Sequence, residues 1–249
     1  MERLGFLDWG IGGLGIFQAF RRRRPAVPVL YWSDTGATPY GRLPAPQLTA
    51  RVRGVLQAMV GHGVTHAVVA CNAASTILPA LGDVGIPVMG VIEPAIAMVP
   101  PDLKGTLGVV GGTRTIRSGL YRRALTTPRR RVLQRIAQPL SAHIEAGRTG
   151  TPAFRADLER IMRPLARADA ILLACTHYPS AAAAFRQLAP GASLLDPAQA
   201  VVDAIVARWR LPSGRGDLFL TTGRPDEMRR AARAAWGIDL GRLPAKTRP

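Results

Sequence analysis

Short apolar runs alternate along this chain with longer segments in which hydrophobic residues recur every three or four positions. In the first part, strand-like runs lie at 4–7, 27–32, 66–70 and 86–92. Segments 14–24 and 48–62 place their apolar residues on one face of a helix. Strands that alternate with helices in this way predict a parallel sheet.

The second part of the chain repeats this alternation. Strand-like runs occur at 106–110, 132–136, 169–174 and 193–195, and helices are expected at 120–126, 152–167, 181–188 and 196–209. The segment 107–111 resembles 6–10, and Cys175 follows Cys71 at nearly the same offset. The shared offset indicates two diverged copies of one α/β unit, related by a pseudo-twofold.

We therefore predict an α/β protein with two pseudo-symmetric parallel-sheet domains. The first domain is expected to comprise residues 1–93 and about 206–249, because the final strand and helix at 218–222 and 226–236 are expected to return to it. The second domain is expected to comprise residues 94–205.

Polar or reactive side chains follow the strands of the first domain where each strand is predicted to end. They are Asp8, Asp34, Cys71 and Glu93. Ligands of open α/β sheets bind at the carboxyl ends of the strands, so these positions predict a ligand site. The glycine-rich turn 9–13 precedes a helix and suits an anion such as a carboxylate, although it does not meet the spacing of a dinucleotide fingerprint.

Cys71 and Cys175 are the only cysteines, and each ends an apolar run with the dipeptide Ala-Cys. We interpret them as two acid/base thiols that face one substrate, one removing a proton from a carbon and the other returning a proton to the opposite face. A free thiol has a pKa of about 8.5, so the site would have to lower the pKa of one of them. His177 and Asp8 are natural proton partners, and the helices after each cysteine would help.

Three alternative roles for the cysteines stay open at this point. A structural disulfide is disfavoured in a chain expected to be cytoplasmic, where thiols are kept reduced. Two inert buried cysteines would also fit the apolar runs. A cysteine hydrolase would use one thiol and leave the other without a role.

The composition indicates a globular protein, with 47% hydrophobic and 20% charged residues. No secretory signal and no apolar run of membrane-spanning length is found, so a cytoplasmic enzyme without membrane partners is expected. The formal net charge is +17, almost all from arginine, and the dense runs 21–24 and 129–131 fall at expected surface turns. Without a nucleic-acid-binding motif, nucleic acid is an unfavoured partner, and a nucleic-acid-binding or regulatory role is the less favoured alternative to an enzyme. Anionic small molecules would be attracted by the positive charge.

Neither a cofactor nor a metal is predicted. Pyridoxal chemistry needs a lysine for a Schiff base. The two lysines are Lys104, in a proline- and glycine-containing turn, and Lys246, in the tail. A zinc site would need more ligands than two cysteines and scattered histidines.

Four segments together resemble the signatures of glutamate racemase, the cofactor-independent enzyme of the aspartate/glutamate racemase superfamily. They are Phe6-Leu-Asp-Trp-Gly-Ile-Gly-Gly-Leu14, Ser33-Asp-Thr-Gly-Ala-Thr-Pro-Tyr-Gly41, Val69-Ala-Cys-Asn-Ala-Ala-Ser75 and Ala174-Cys-Thr-His-Tyr-Pro179. Ser118 with Tyr121, Glu145 with Gly147, and segment 219–223 also match, so the resemblance runs from about residue 4 to 240.

The resemblance implies two pseudo-symmetric, flavodoxin-like α/β domains with the active site in the cleft between them, and a homodimer. It implies Cys71 as the base toward the D-enantiomer, assisted by Asp8, and Cys175 as the base toward the L-enantiomer, assisted by His177 and supported by Glu145. The small-molecule substrate would be bound at the positions Asp8, Trp9, Tyr40, Gly41, Asn72, Ala73, Thr176 and His177. In bacteria the product, D-glutamate, enters peptidoglycan.

Three positions depart from the family pattern. Trp9 and Ala73 replace a serine and a threonine that bind substrate, and Gly112 stands where a threonine is usual. A lost hydrogen bond to a charged group costs roughly 1.5–3 kcal/mol, and Trp9 adds bulk unless it turns away from the site. The residues that match the family's acid/base groups are all present, whereas some of the substrate-binding residues differ. The alternative is therefore the same chemistry on aspartate, a hydantoin or a related acid.

Overall fold

A computed structural model describes residues 1–245 and 247–248 of the chain, so Lys246 lies outside the described residues. The first sheet has the strand order β4-β3-β1-β2-β9 and the second has the order β6-β5-β7-β8. Every pairing within the two sheets is parallel. The two-sheet parallel α/β fold predicted from the alternation is therefore confirmed.

The bounds of the regular elements follow. The strands are β1 Arg3–Asp8, β2 Val29–Ser33, β3 Val64–Val69, β4 Val88–Gly90, β5 Gly105–Gly111, β6 Arg130–Ile136, β7 Ala170–Ala174, β8 Ser193–Leu195 and β9 Leu218–Thr221. The helices are α1 Leu14–Arg23, α2 Ala45–Gly61, α3 Asn72–Ser75, α4 Ile92–Ala97, α5 Thr113–Arg117, α6 Leu120–Leu125, α7 Gln138–Glu145, α8 Pro152–Met162, α9 Ala182–Leu188, α10 Ala198–Arg208 and α11 Pro225–Trp236.

The central strand β1 is buried on both faces, which explains its nearly continuous apolar sequence. Phe6 packs edge to face against Phe20 of α1, with the ring centroids 5.6 Å apart. Leu7 faces the other side, in a core with α2. Gly5 lets α2 approach closely, because a Cβ there would lie 2.5 Å from Cε of Met59.

One hydrophobic core connects the two sheets. It contains Phe6 of the first sheet and Leu173 of the second, and it includes buried residues of α1, α8 and α10. Helix α10 packs on α1 and also on α4. This shared core holds the carboxyl ends of β3 and β7 in one position relative to each other.

The prediction that the fourth strand runs to residue 92 and places Glu93 beside the other strand ends is wrong. Strand β4 ends at Gly90, and Glu93 lies in the first turn of α4. A carboxylate is favoured there by the helix dipole, and Pro94 is tolerated in the first turn. The Glu93 side chain is exposed and paired with Arg208, away from the other strand ends.

Helix α7 was not predicted from the sequence. It begins at Gln138, directly after the edge strand β6, and its second residue is a proline. Of the helices in the described part of the chain, none is both long and apolar enough to cross a membrane.

Candidate active site

Cys71 and Cys175 lie at the carboxyl ends of β3 and β7, one strand in each sheet. Both line the same cavity, which has a volume of about 390 Å³. Both are free thiols, so the disulfide alternative does not hold. The residues named from the sequence that line this cavity are Asp8, Trp9, Tyr40, Gly41, Cys71, Asn72, Ala73, Cys175, Thr176 and His177.

Asp8 is fully buried beside Cys71 at the end of β1. Its Oδ1 accepts the backbone N–H of Trp9 at 2.7 Å, and its Oδ2 accepts that of Gly13 at 2.6 Å and the hydroxyl of Thr176 at 3.1 Å. Burial raises the pKa of Asp8, although the charge of His177 and the interaction with Cys71 oppose the shift. The carboxyl group is thus held rigidly and can exchange a proton with the neighbouring thiol.

Burial also raises the pKa of the Cys71 thiol well above its usual value, and the negative charge of Asp8 adds to this. A hydrogen bond from the backbone N–H of Ala74 in α3 lowers the pKa of Cys71, but by less than burial raises it. The expected help from the helix is therefore outweighed by burial at Cys71. A thiolate formed here would be a stronger base than a thiolate in water.

Cys175 has a different proton partner. Its Sγ lies 3.9 Å from Nδ1 of His177, whose Nε2 bonds to Oε2 of Glu145 at 2.6 Å. Burial by itself lowers the pKa of His177, but hydrogen bonds to Cys175 and Glu145, and the charges of both, raise that pKa well above the usual value. His177 is thus an imidazolium positioned to give a proton to the Cys175 sulfur or to stabilise its thiolate.

Glu145 does not line the cavity, and it acts on the site through His177. It comes from α7, and its Oε2 also accepts the backbone N–H of Ile11 at 3.1 Å. The glycine-rich turn leaves room for this arrangement, because a Cβ at Gly10 would lie 2.3 Å from Glu145 Oε2. A Cβ at Gly12 would lie 2.6 Å from His177 Nδ1. The turn was expected to bind an anionic ligand. In the structure its backbone N–H groups instead donate to two carboxylates of the protein itself, those of Asp8 and Glu145.

We expect Glu145→Gln to destabilise the protein most at low pH. The raised pKa of His177 means that its stabilising contribution is complete below the unfolded value of about 6.5 and is lost as pH rises through the folded value. Without the carboxylate, burial disfavours the imidazolium. Urea unfolding at pH 6 and at higher pH would therefore give a loss of unfolding free energy that shrinks as pH rises.

The matched control is Asp157→Asn, which removes the carboxylate from the more exposed pair of His143 and Asp157. Its effect should be small at every pH, because Asp157 is partly exposed and also pairs with the exposed Arg160. Ion pairs that solvent can reach contribute about 0–1 kcal/mol. A loss in Glu145→Gln that is independent of pH, or that grows with pH, would contradict the assigned charge state of His177.

The substrate-binding positions offer donors of different kinds. Asn72 is buried, and its Oδ1 accepts the Tyr121 hydroxyl at 2.6 Å, which leaves the amide N–H groups as donors. The hydroxyl of Tyr40 is already committed to Asp34 Oδ2 at 2.7 Å. Trp9 does not turn away, because it lines the cavity while its Nε1 donates to Ala37 O at 3.0 Å.

Asp34, which was expected at the ligand site, lies behind the cavity wall and is fully buried. Arg51 Nε donates to its Oδ2 at 2.8 Å, and Thr222 Oγ1 donates to its Oδ1 at 2.7 Å. Together with Tyr40, these groups fix the segment that leads to Gly41. Asp34 therefore positions the wall of the cavity and is not one of the residues that line it.

Several cavity residues were not named from the sequence. They are Pro39, Arg42, Gly112, Thr115, Gln138, Pro139, Ser141 and Ala142. Of these, Pro39 had appeared only within a family signature, and Gly112 only as a departure from the family pattern. Gln138 and Ser141 belong to α7, the helix that the sequence pattern did not reveal. The end of β6 was the available signal, since each strand end in such a fold can contribute to the site.

In sequence, the chain is similar to known amino-acid racemases. A family model described as Asp/Glu/Hydantoin racemase matches residues 15–205. A glutamate racemase of Thermus thermophilus is 35% identical over 241 residues, covering 92% of this chain and 90% of its own length. The glutamate racemase of Beutenbergia cavernae is 33% identical over 264 residues, covering 95% of this chain and 90% of its own length.

Solved structures show the same relationship. The crystal structure of Thermus thermophilus glutamate racemase in complex with beta-chloro-D-alanine superposes with a TM-score of 0.84 at 30% identity, covering 100% of this chain and 96% of that one. Picrophilus torridus aspartate racemase, at 16% identity and a TM-score of 0.61, shares the fold alone; the alignment covers 85% of this chain and 96% of that one. The resemblance and the enzyme class predicted from the sequence, a racemase and hence an isomerase, are confirmed. The chain belongs to the Asp/Glu/hydantoin racemase family.

Proposed function

We propose that this protein interconverts L-glutamate and D-glutamate without a cofactor, using Cys71 and Cys175 as two acid/base groups. The observation that carries the proposal is that the two thiols reach one cavity from different sheets, each with its own ionisable partner. Relatives at 33–35% identity that are named glutamate racemase support glutamate as the substrate.

The chemistry conserves protons at each turnover. Starting from the D-enantiomer, the Cys71 thiolate removes the Cα proton, so that a C–H bond breaks and an S–H bond forms. The electron pair is held on a planar carbanion, and the Cys175 thiol delivers its proton to the opposite face. The L-enantiomer follows the reverse path. After one turnover the two sulfur atoms have exchanged protonation states.

The neighbouring groups serve these proton transfers. Asp8 accepts the proton of the Cys71 thiol, and burial raises its pKa, which makes the carboxylate a stronger base than an exposed one. His177 supplies the proton on the Cys175 side and is kept charged by Glu145. General acid–base groups placed in this way contribute about 10²- to 10⁴-fold to a rate. The amide N–H groups of Asn72 are donors available to a substrate carboxylate.

The wider role follows from the product. D-glutamate made in the cytoplasm would be consumed in peptidoglycan synthesis, and the enzyme would work as a homodimer. Sedimentation of the purified protein over a range of concentrations would test the dimer: a monomer at all concentrations would reject it.

The proposal is tested by circular dichroism of L- and D-glutamate incubated separately with the purified protein, with no pyridoxal phosphate added. Both solutions should lose optical activity and reach the same end point. If neither signal changes while another acid is racemised, glutamate is not the substrate and the two-thiol chemistry still stands.

The cavity wall supports one alternative, the same chemistry on aspartate, a hydantoin or a related acid. Trp9 and Ala73 both line the cavity, and neither supplies the hydroxyl that the family pattern places there. A panel of enantiopure acids in D₂O, followed by deuterium uptake at Cα, distinguishes the two. Uptake into glutamate alone would remove the alternative.

A further inference from the structure

Gln138 occupies space that two glycines leave open. It begins α7, directly beyond the edge strand β6, and its side chain lines the cavity. A Cβ at Gly41 would lie 3.0 Å from Gln138 Oε1, and a Cβ at Gly112 would also lie 3.0 Å from that atom. The side-chain amide therefore sits between one segment from each half of the protein, at a place where neither has a side chain.

The orientation of this amide is set by its partners. Oε1 accepts the backbone N–H of Thr113, the first residue of α5, at 3.1 Å. A backbone N–H can only donate, so the amide oxygen must be on that side and the nitrogen on the other. Nε2 donates one hydrogen to Ser141 Oγ at 3.3 Å, and the Ser141 hydroxyl donates onward to Gln138 O at 2.9 Å.

One hydrogen of Nε2 is left over. A primary amide carries two N–H donors, and the second has no acceptor within the described residues. The side chain lines the cavity and is only half-buried, so a ligand or solvent has to supply that acceptor. The exposed Arg42 lines the same cavity and adds a positive charge. Together these groups favour a negatively charged oxygen acceptor.

The position of Gln138 identifies which part of a substrate it can reach. The second sheet has the order β6-β5-β7, so the strand before Gln138 and the strand before Cys175 are two places apart. Neighbouring strands are about 4.8 Å apart, which puts these strand ends about 10 Å from each other. The Gln138 amide reaches back to Gly112, at the end of the middle strand β5, and so lies about one strand spacing from the end of β7. The reacting Cα must lie next to the thiols. Gln138 is thus placed to contact the far end of a substrate side chain.

We infer that Gln138 is a specificity residue whose Nε2 donates a hydrogen bond to the side-chain carboxylate of the substrate, and so favours an acidic amino acid with an extended side chain. This deepens the proposed function and rests on it. The same amide also caps α5 through Oε1, so the experiment has to separate binding from structure.

Gln138→Glu makes this separation. A glutamate retains an oxygen acceptor for the Thr113 N–H, and its second oxygen can accept the Ser141 hydroxyl in place of the hydrogen bond that Nε2 donates to Ser141. That second oxygen is negatively charged, so it repels a substrate carboxylate. For Gln138→Glu we expect the KM for D-glutamate to rise about 30-fold or more, while kcat stays within about threefold of the wild-type value. The midpoint temperature of unfolding should not change. Gln138→Leu loses the hydrogen bonds to Thr113 and Ser141 as well as the donor to the substrate. KM should therefore rise about 10-fold, and the midpoint temperature of unfolding should fall.

Each outcome distinguishes substrate binding from helix capping. A KM for Gln138→Glu within about threefold of wild type would overturn the inference and leave only the capping role. If the wild-type protein does not racemise glutamate, the proposed function fails first, and the variants are then measured with the acid that exchanges deuterium. If that acid has an acidic side chain, the same KM shift is expected. If its side chain is uncharged, the inference is overturned.

Discussion

Replacing Cys71 or Cys175 with serine is expected to reduce racemisation by about 10³-fold or more, while the protein still folds. In the proposed mechanism each thiol is the general base on one face of Cα and the general acid for the other direction, and such groups contribute up to about 10⁴-fold. A serine hydroxyl at the same place is a poor acid and a poor base near neutral pH. The remaining thiol can still remove a proton, but the opposite face receives none.

The two variants should differ in which enantiomer exchanges its proton. Cys175→Ser retains Cys71 and should take up deuterium from D₂O into D-glutamate at Cα without forming L-glutamate. Cys71→Ser should do so with L-glutamate. Circular dichroism measures racemisation, and mass spectrometry measures deuterium uptake.

The double variant is the internal control for this pair. The variant that carries both Cys71→Ser and Cys175→Ser should racemise at nearly the same rate as either single variant. The reason is that the effects of groups that act as a unit are not additive. Racemisation at the wild-type rate in either single variant would reject the two-thiol mechanism. Exchange of the opposite enantiomer would reverse the assigned faces.

Asp34→Ala is expected to lower the free energy of unfolding by about 3 kcal/mol or more. The carboxylate is fully buried and accepts hydrogen bonds from Tyr40, Thr222 and Arg51. Removing it leaves two buried hydroxyls without that acceptor, and each unsatisfied buried group costs about 1–3 kcal/mol. Arg51 is partly exposed and can turn to solvent. Urea unfolding at pH 7 measures the change.

Glu93→Ala provides the matched control. Glu93 also accepts two hydrogen bonds from one arginine, Arg208, but both side chains are exposed. Exposed pairs of this kind contribute about 0–1 kcal/mol, so this variant should unfold nearly like wild type. Equal losses in the two variants would mean that burial of the Asp34 cluster does not determine its contribution.

Much of the fold was predictable because it depends on local patterns. Strands β1, β3 and β7 are short apolar runs that end where a polar or reactive residue begins, and β5 shows the same run. The glycine-rich turn after Asp8 was recognisable for the same reason. Two errors also have local causes. Glu93 follows an apolar run but begins a helix, and α7 contains a proline and too few apolar residues for a clear helical period.

The candidate site was only partly predictable. Asp8, Cys71, Cys175 and His177 were found because strand ends of a parallel sheet converge. Gln138 was not, because nothing in its neighbourhood distinguishes a ligand-facing glutamine from a surface one. Its significance depends on Gly41 and Gly112, which are distant in sequence and come together only when the two halves pack.

The sequence alone determined the α/β class and the family resemblance, and it led to the proposal of two-thiol chemistry, since these depend on residue order, periodicity and short motifs. Only the tertiary structure decided the surroundings of each group. Packing of the two sheets on one core brings both thiols into one cavity, and burial sets the direction of the Cys71 and Asp8 pKa shifts. Desolvation and contact across the cleft are properties of the packed chain, which residue order does not display.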